Sequence, residues 1–66
     1  MKIECIKGFM LSPDNSFGIM AGEVFEMDPD SEDGYDFIGL LGGCRNPGME
    51  ISFTEEMLVN NFIFKG

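Results

Sequence analysis

The residues with the clearest chemical potential lie in the acidic stretch "DPDSEDGYD", residues 28–36. Three roles are open to the carboxylates in this stretch: coordination of a cation, imitation of the polyanionic backbone of a nucleic acid, and formation of a solvated turn between two strands. No lysine or arginine interrupts the stretch from residue 26 to residue 36, whose carboxylates are Glu26, Asp28, Asp30, Glu32, Asp33 and Asp36.

The spacing argues against a calcium loop of the EF-hand type. With Asp28 as the first ligand, Asp30 and Glu32 take the next two ligand positions. The glycine that such a loop needs for its sharp turn then comes one place late, as Gly34, and Gly39 stands where the bidentate glutamate belongs. We therefore predict no metal at this stretch.

Two interpretations of the acidic stretch remain open. Dense negative charge without neighbouring cations suits a mimic that occupies the basic groove of a DNA-binding protein or nuclease. The tip of a β-hairpin is also where carboxylates are most easily solvated, and an Asp-Gly pair is typical of a turn. The sequence favours the turn and keeps the mimic as an alternative.

Cys5 and Cys44 are the remaining groups with chemical potential. Cys5 lies in an alternating segment and is expected in the core, whereas Cys44 lies in a glycine-rich loop beside Arg45, whose charge is expected to lower the pKa of the thiol. The chain has no histidine, so a Cys–His nucleophile is excluded within it. "GLLGG" lacks the P-loop lysine. We predict no catalysis and no cofactor.

The apolar residues give the best functional indication. Seven phenylalanines and six methionines in 66 residues exceed what so small a domain is expected to bury, so some should form an exposed apolar patch, which typically marks a partner surface. The candidates lie before the second strand and at the C-terminal end: Phe17, Met20, Met57 and Phe64.

Charge and hydropathy narrow the class of partner. The net charge is −8, with 12 acidic residues against 4 basic ones, which opposes direct binding to nucleic acid or to an anionic membrane. No segment has the length of a membrane span or of a signal peptide's apolar core. We expect a cytoplasmic protein with a protein partner.

Periodicity predicts the elements that position these residues. Near-alternation over 2–11 predicts a first strand, and "EVFEM" (23–27) predicts a second strand entered through Gly22. A third strand is expected over 35–43, leading into the glycine-rich loop 42–48, and a fourth over 49–53. A short helix or 3₁₀ turn is expected over 54–61, with Thr54 as its N-cap. A fifth strand is expected over 62–65.

Five short strands and one helical turn predict a mainly β domain over residues 1–66. A small closed barrel is the favoured architecture, because closure removes the exposed edges of a sheet.

A set of residues at turns, at a helix cap and at core positions forms a pattern over nearly the whole chain: Met1, Lys2, Cys5, Ile6, Lys7, Gly22, Glu23, Phe25, Glu26, Gly34, Tyr35, Gly39, Phe53, Thr54, Glu55, Glu56, Leu58, Asn61 and Phe62. In these residues the chain resembles small SH3-like barrel proteins of bacteriophages, prophages and mobile elements. The loop "GGCRNPG" departs from the pattern. The resemblance implies a five-stranded SH3-like barrel and such a source, and it carries over no catalytic residue.

The sequence therefore predicts a non-catalytic protein-binding module that docks on a host or phage protein through an apolar surface framed by acidic residues. One alternative is an acidic nucleic-acid mimic that inhibits a DNA-binding protein or nuclease. A second alternative is a structural accessory that acts as a homodimer through exposed aromatic side chains.

Overall fold

A computed structural model describes residues 1–12 and 16–65, and within them the chain forms seven strands in two antiparallel sheets with one short helix. The residue types at 12–16 predict a turn, because proline fixes φ and aspartate, asparagine and serine can hydrogen-bond their own backbone. Residues 13–15 of this segment lie outside the described residues. The elements in chain order are β1 (Lys2–Cys5), β2 (Phe9–Met10), β3 (Gly18–Ile19), β4 (Val24–Met27), β5 (Asp36–Gly39), β6 (Glu50–Ser52), α1 (Glu55–Asn61) and β7 (Phe62–Phe64).

The larger sheet has the strand order β6-β5-β4-β1-β7, and β2 pairs with β3 in a separate two-stranded sheet. The pairing does not return from β7 to β6 in the described part of the chain, so this sheet is open and the predicted closed five-stranded barrel is not confirmed. The mainly β class is confirmed.

The predicted first strand over 2–11 is wrong in its length. It breaks after Cys5, and Phe9 and Met10 pair with Ile19 and Gly18 instead. Gly8 lies at the break, where an added Cβ would come within 3.1 Å of the Ile19 carbonyl oxygen. Strand β3 was not predicted, because a two-residue strand is too short to show a period.

The other elements lie where the sequence predicts them. Gly22 has φ of +98°, the left-handed conformation expected before β4. The Thr54 side chain accepts a hydrogen bond from the Met57 N–H at 3.2 Å and so caps the helix. Strands β5, β6 and β7 lie within the ranges predicted for the third, fourth and fifth strands.

Alternation along the strands builds one aromatic core beneath the larger sheet. Phe53 is its centre, since its ring lies 4.8 Å from that of Phe62, 5.3 Å from that of Phe25 and 5.7 Å from that of Phe37. The ring of Phe9, from the smaller sheet, contacts Phe53 edge-on at 6.3 Å. The buried apolar residues are Ile3, Cys5, Ile19, Phe25, Phe37, Ile51, Phe53 and Phe62.

We expect Phe53→Ala to remove about 3–5 kcal/mol from the free energy of unfolding, because it empties the centre of the core. A domain of this size has a total of about 3–10 kcal/mol, so much of the population unfolds. Phe64→Ala is the matched control, since Phe64 is 73% exposed, and its cost is expected to stay within about 0.5 kcal/mol. Urea titration followed by circular dichroism measures both, and equal costs would contradict this core.

Gly39 lets the loop over 40–48 lie flat against β5. A Cβ built at Gly39 would stand 2.6 Å from the Asn46 carbonyl oxygen and 2.8 Å from the Cys44 Sγ. The loop is fastened there by the N–H of Gly48, which donates to the Gly39 carbonyl at 2.9 Å. Gly39 therefore permits a close approach between two chain segments.

Gly39→Ala is expected to cost about 1–3 kcal/mol of unfolding free energy, because backbone must move to admit the methyl group. Gly42→Asn is the control, since Gly42 has φ of +80° and open space around it, and asparagine tolerates that conformation. Thermal denaturation of the two variants should show the larger loss for Gly39→Ala; the reverse order would show that the loop does not lie on β5.

Candidate protein-binding surface

Strand β7 is an edge of the larger sheet, and only its inner side is paired. The Lys65 N–H donates to the Lys2 carbonyl at 2.8 Å, and the Ile6 N–H donates to the Asn61 carbonyl at 2.8 Å. Hydrogen-bonded pairs alternate along antiparallel strands, so the backbone N–H and C=O of Phe64, and of Phe62 before it, face away from β1. In the described residues, no strand pairs with that outer side.

The side chains along this edge are apolar and exposed. Phe64 is 73% exposed and Ile63 is 47% exposed. Phe64 stands opposite the buried Ile3, so its side chain lies on the core face of the sheet, at the edge where that face is exposed to solvent. Met1, two residues before Ile3 and 50% exposed, lies on that same face. The corner formed by Met1, Ile63 and Phe64 is called the β7 corner below.

Three of the four basic residues lie on β1 or within two residues of β1 or β7 in the sequence: Lys2, Lys7 and Lys65. Lys65 Nζ lies 3.0 Å from a carboxylate oxygen of Glu4. Across the outer face of the sheet, Lys65 and Lys2 are followed by Glu26, Ile38 and Glu50. The lysines of this edge thus have carboxylates beside them, since Glu4 contacts Lys65 and Glu26 stands opposite Lys2.

The other predicted apolar site residues are divided between core and surface. Phe17 and Met57 are half-buried and pack against the core, so they add little to an exposed patch. Met20 is 56% exposed but follows β3 in the smaller sheet, and Phe64 lies on β7. Phe64 is therefore the predicted residue that the structure leaves exposed at a free sheet edge.

The predicted acidic residues lie in the connection between β4 and β5 or on the strands beside it, with Glu26 on β4 and Asp36 on β5. Several of them accept hydrogen bonds within this turn. Asp28 Oδ1 accepts from the Asp30 N–H at 2.9 Å, and Asp33 Oδ1 accepts from the Tyr35 N–H at 2.9 Å. The Ser31 hydroxyl contacts Asp33 and Asp36, each at 3.2 Å. These contacts favour the solvated turn over a charged surface held free for a partner.

Four carboxylates of the stretch are exposed, and Asp33 is the one of these that accepts a hydrogen bond within the turn: Glu26, Asp30, Glu32 and Asp33. A hollow of about 270 Å³ lies beside the turn. Asp36 lies in it and accepts a hydrogen bond from the Ser52 hydroxyl. The hollow is lined by Asp28, Asp36, Glu50, Ile51 and Ser52.

Glu23 is a buried carboxylate whose importance the sequence analysis missed. It is 7% exposed, and its two oxygens accept from the Met20 N–H at 2.7 Å and the Arg45 N–H at 2.9 Å. The Arg45 guanidinium lies 3.6 Å from Glu23 and donates to the Gly18 carbonyl at 2.8 Å. The alternation of side chains along the strand could have indicated this position, because Glu23, Phe25 and Met27 lie on the same, core-facing side.

The environment of Glu23 settles its charge. Burial raises the pKa of this carboxyl, but hydrogen bonds from the Met20 and Arg45 N–H groups and the charge of Arg45 outweigh burial, so the pKa is lowered from its ordinary value of 4.5. The ionised carboxylate is therefore the form that the fold stabilises.

Cys44 differs from its prediction. Burial and the negative charge of Glu23 raise the pKa of the Cys44 thiol, and they outweigh the Asn46 N–H and Arg45, which lower it. Arg45 was expected to lower this pKa, but its guanidinium also contacts Glu23 and Gly18. Cys5 is fully buried as predicted, burial raises the pKa of its thiol, and both thiols are free.

Glu23→Gln is expected to lower the free energy of unfolding at neutral pH by about 1–3 kcal/mol, because the amide nitrogen cannot accept from one of the two buried N–H groups. A carboxyl whose folded pKa is lowered stabilises fully above its unfolded pKa, and this contribution disappears as the pH falls through the folded pKa. The gap between the wild type and Glu23→Gln should therefore narrow as the pH falls below about 4.5.

Urea titrations at a series of pH values measure that gap. Glu26→Gln is the control, because Glu26 lies on the same strand but is exposed, and its effect should stay within about 0.5 kcal/mol at neutral pH. A gap between wild type and Glu23→Gln that is constant with pH would show that the carboxylate charge is not what the fold uses.

Within residues 1–12 and 16–65, no three His, Cys, Asp or Glu side chains are grouped to hold a metal ion. The helix in this part of the chain is too short to cross a membrane. No family model, curated protein or solved structure matches the chain. The candidate surface therefore rests on its geometry alone.

Proposed function

We propose that this chain is a non-catalytic protein-binding module whose partner docks on the β7 corner. The observation that carries the proposal is the exposure of Phe64, at 73%, on a strand whose outer side pairs with no other described strand. Exposed apolar side chains at a free edge are a surface that proteins usually cover. An origin in a phage or mobile element stays part of the proposal.

The role of the acidic residues changes within this proposal. The sequence predicts that they frame the apolar surface, but the turn that carries most of them connects β4 and β5, whereas Lys2, Glu4 and Lys65 lie beside the β7 corner. We assign them to solubility and to the structure of the turn. They also keep copies of the chain apart by mutual repulsion.

The nucleic-acid mimic remains the second candidate, because Glu26, Asp30 and Glu32 project into solvent from one short segment. It would bind a basic groove through charge, so its affinity would fall steeply with salt. Asp28 and Asp33 accept hydrogen bonds within the turn, so a mimic would have fewer carboxylates free to contact a basic groove.

Affinity capture from an extract of the source cells separates the two. We expect a captured protein to survive high salt, to be lost with Phe64→Ser, and to be retained by Leu41→Ser. Leu41 is the matched control, since it is 85% exposed but lies in the loop after β5.

A triple variant with Glu26→Gln, Asp30→Asn and Glu32→Gln completes the experiment. It spares the carboxylates that structure the turn, so it should fold and keep its partner under our proposal. A partner that the triple variant fails to capture, that high salt removes from the wild type and that Phe64→Ser still captures would establish the mimic instead. Sedimentation velocity over a range of concentrations tests the homodimer, which predicts a mass that rises towards twice that of the chain.

A further inference from the structure

The β7 corner and the acidic turn lie at the same end of the larger sheet. Strands β4 and β7 are both antiparallel to β1, so both of them end where β1 begins. The Met27 N–H, at the end of β4, donates to the Met1 carbonyl at 3.0 Å, and the acidic connection starts at the next residue, Asp28. Strand β1 lies between β4 and β7, which are therefore about 10 Å apart at the usual strand spacing.

The lysines beside the corner do not offset the negative charge of this end. Lys65 Nζ lies 3.0 Å from a carboxylate oxygen of Glu4, and Lys2 stands opposite Glu26. Each of these cations thus has a carboxylate beside it, whereas residues 28–36 contain five carboxylates and no lysine or arginine. The excess charge at this end of the sheet is negative, in agreement with the net charge of −8.

We propose that the partner presents an extended segment that adds to the sheet at β7 and carries basic residues beside an apolar one. This inference rests on the proposed function and specifies the chemistry of its partner. A strand added to a free edge gains main-chain hydrogen bonds, here with the outward-facing backbone groups of Phe62 and Phe64. Its apolar side chain packs on Phe64, and the excess of carboxylates attracts its basic side chains.

The apolar edge and the acidic turn act on different steps of binding. The carboxylates that follow β4 lie about 14 Å, or three strand spacings, from the position of the added strand. They therefore attract a basic segment during its approach, whereas Phe64 and the backbone of β7 hold it once it is bound. Salt should slow association and leave dissociation nearly unchanged, which is why the captured complex is expected to survive high salt.

The same charge disfavours the other occupants of this edge. Two copies of the chain would bring together two net charges of −8, and an acidic segment would meet the same repulsion. A segment with apolar residues alone would gain no attraction from the carboxylates. A basic segment is the occupant that both the apolar edge and the charge favour.

The test uses the intact chain and a random library of short peptides displayed on phage, selected at physiological salt. Enriched peptides are sequenced, and one is synthesised together with a version in which glutamate replaces its basic residues. Stopped-flow fluorescence of the labelled peptide measures the association and dissociation rates from about 0.01 M to about 1 M salt, over which the Debye length falls from about 30 Å to about 3 Å. The proteins are the wild type, Phe64→Ser, Lys65→Gln, the triple variant defined above and the control Leu41→Ser.

We expect enriched peptides in which basic residues flank an apolar one. Phe64→Ser should raise the dissociation rate at least about tenfold, which corresponds to about 1.4 kcal/mol, and Leu41→Ser should leave both rates unchanged. The triple variant lacks three carboxylates of the acidic segment, so it should associate at least about threefold more slowly at low salt. That difference should disappear at high salt, and its dissociation rate should match that of the wild type.

Lys65→Gln tests the sign of the partner's charge. It removes a cation from the edge and frees Glu4 from its ion pair. The basic peptide should therefore associate faster with this variant than with the wild type, and the glutamate version should not bind either protein. A slower association with Lys65→Gln would show that the partner is acidic and would overturn the proposal.

Enriched peptides without basic residues, or an association rate that the triple variant leaves unchanged at low salt, would also overturn the basic partner. If such peptides still depend on Phe64, the protein-binding module stands. Peptides that bind Phe64→Ser as well as the wild type, or the absence of any enrichment, would overturn strand addition at β7. The capture experiment, which uses whole proteins, then judges the proposed function separately.

Discussion

The arrangement of the two sheets depends on one buried carboxylate. Glu23 stands at the start of β4, where its backbone carbonyl accepts from the Cys5 N–H on β1 at 2.8 Å. Its side chain holds the end of β3 through the Met20 N–H and the loop after β5 through the Arg45 N–H. A buried charge is costly unless it is fully hydrogen-bonded, so the ionised Glu23 favours the arrangement in which these three segments meet.

The free edges follow from the same arrangement. The chain uses β2 and β3 to cover one side of the aromatic core, so these strands do not extend the larger sheet, and β6 and β7 stay at its two ends. The edges differ in chemistry: the β6 edge carries Glu50 and Ser52, which water solvates well, whereas β7 carries Ile63 and Phe64. Charged and polar side chains discourage association at an edge, and only β6 has them on the strand itself.

Local signals made the elements of the larger sheet predictable. Thr54 followed by Glu55 and Glu56 marks the start of a helix, and alternation marks β4, β5 and β6. Closure of the sheet was not predictable, because it depends on long-range pairing that no local period encodes. The break after Cys5 and the short strand β3 accompany the pairing of β2 with β3 and the close approach of Gly8 to Ile19, which are contacts that no local period encodes.

The candidate site was predictable only in part. Composition indicated that some aromatic side chains must be exposed, and Phe64 was among those named, but Phe17 and Met57 pack against the core. Their burial depends on which elements cover the sheet. The placement of the lysines could not be read from the net charge, since a sum over the chain does not show that Lys2 and Lys65, at opposite ends of the sequence, become neighbours.

The most direct test of this account is amide hydrogen exchange of the free chain, measured residue by residue with NMR. The account predicts slow exchange for Ile63, whose N–H faces β1, and fast exchange for Phe64, whose N–H faces outward from the sheet. This alternation should persist at every protein concentration. Equal protection of Ile63 and Phe64 in dilute solution would show that the β7 edge is already paired, and it would contradict a surface open to a partner.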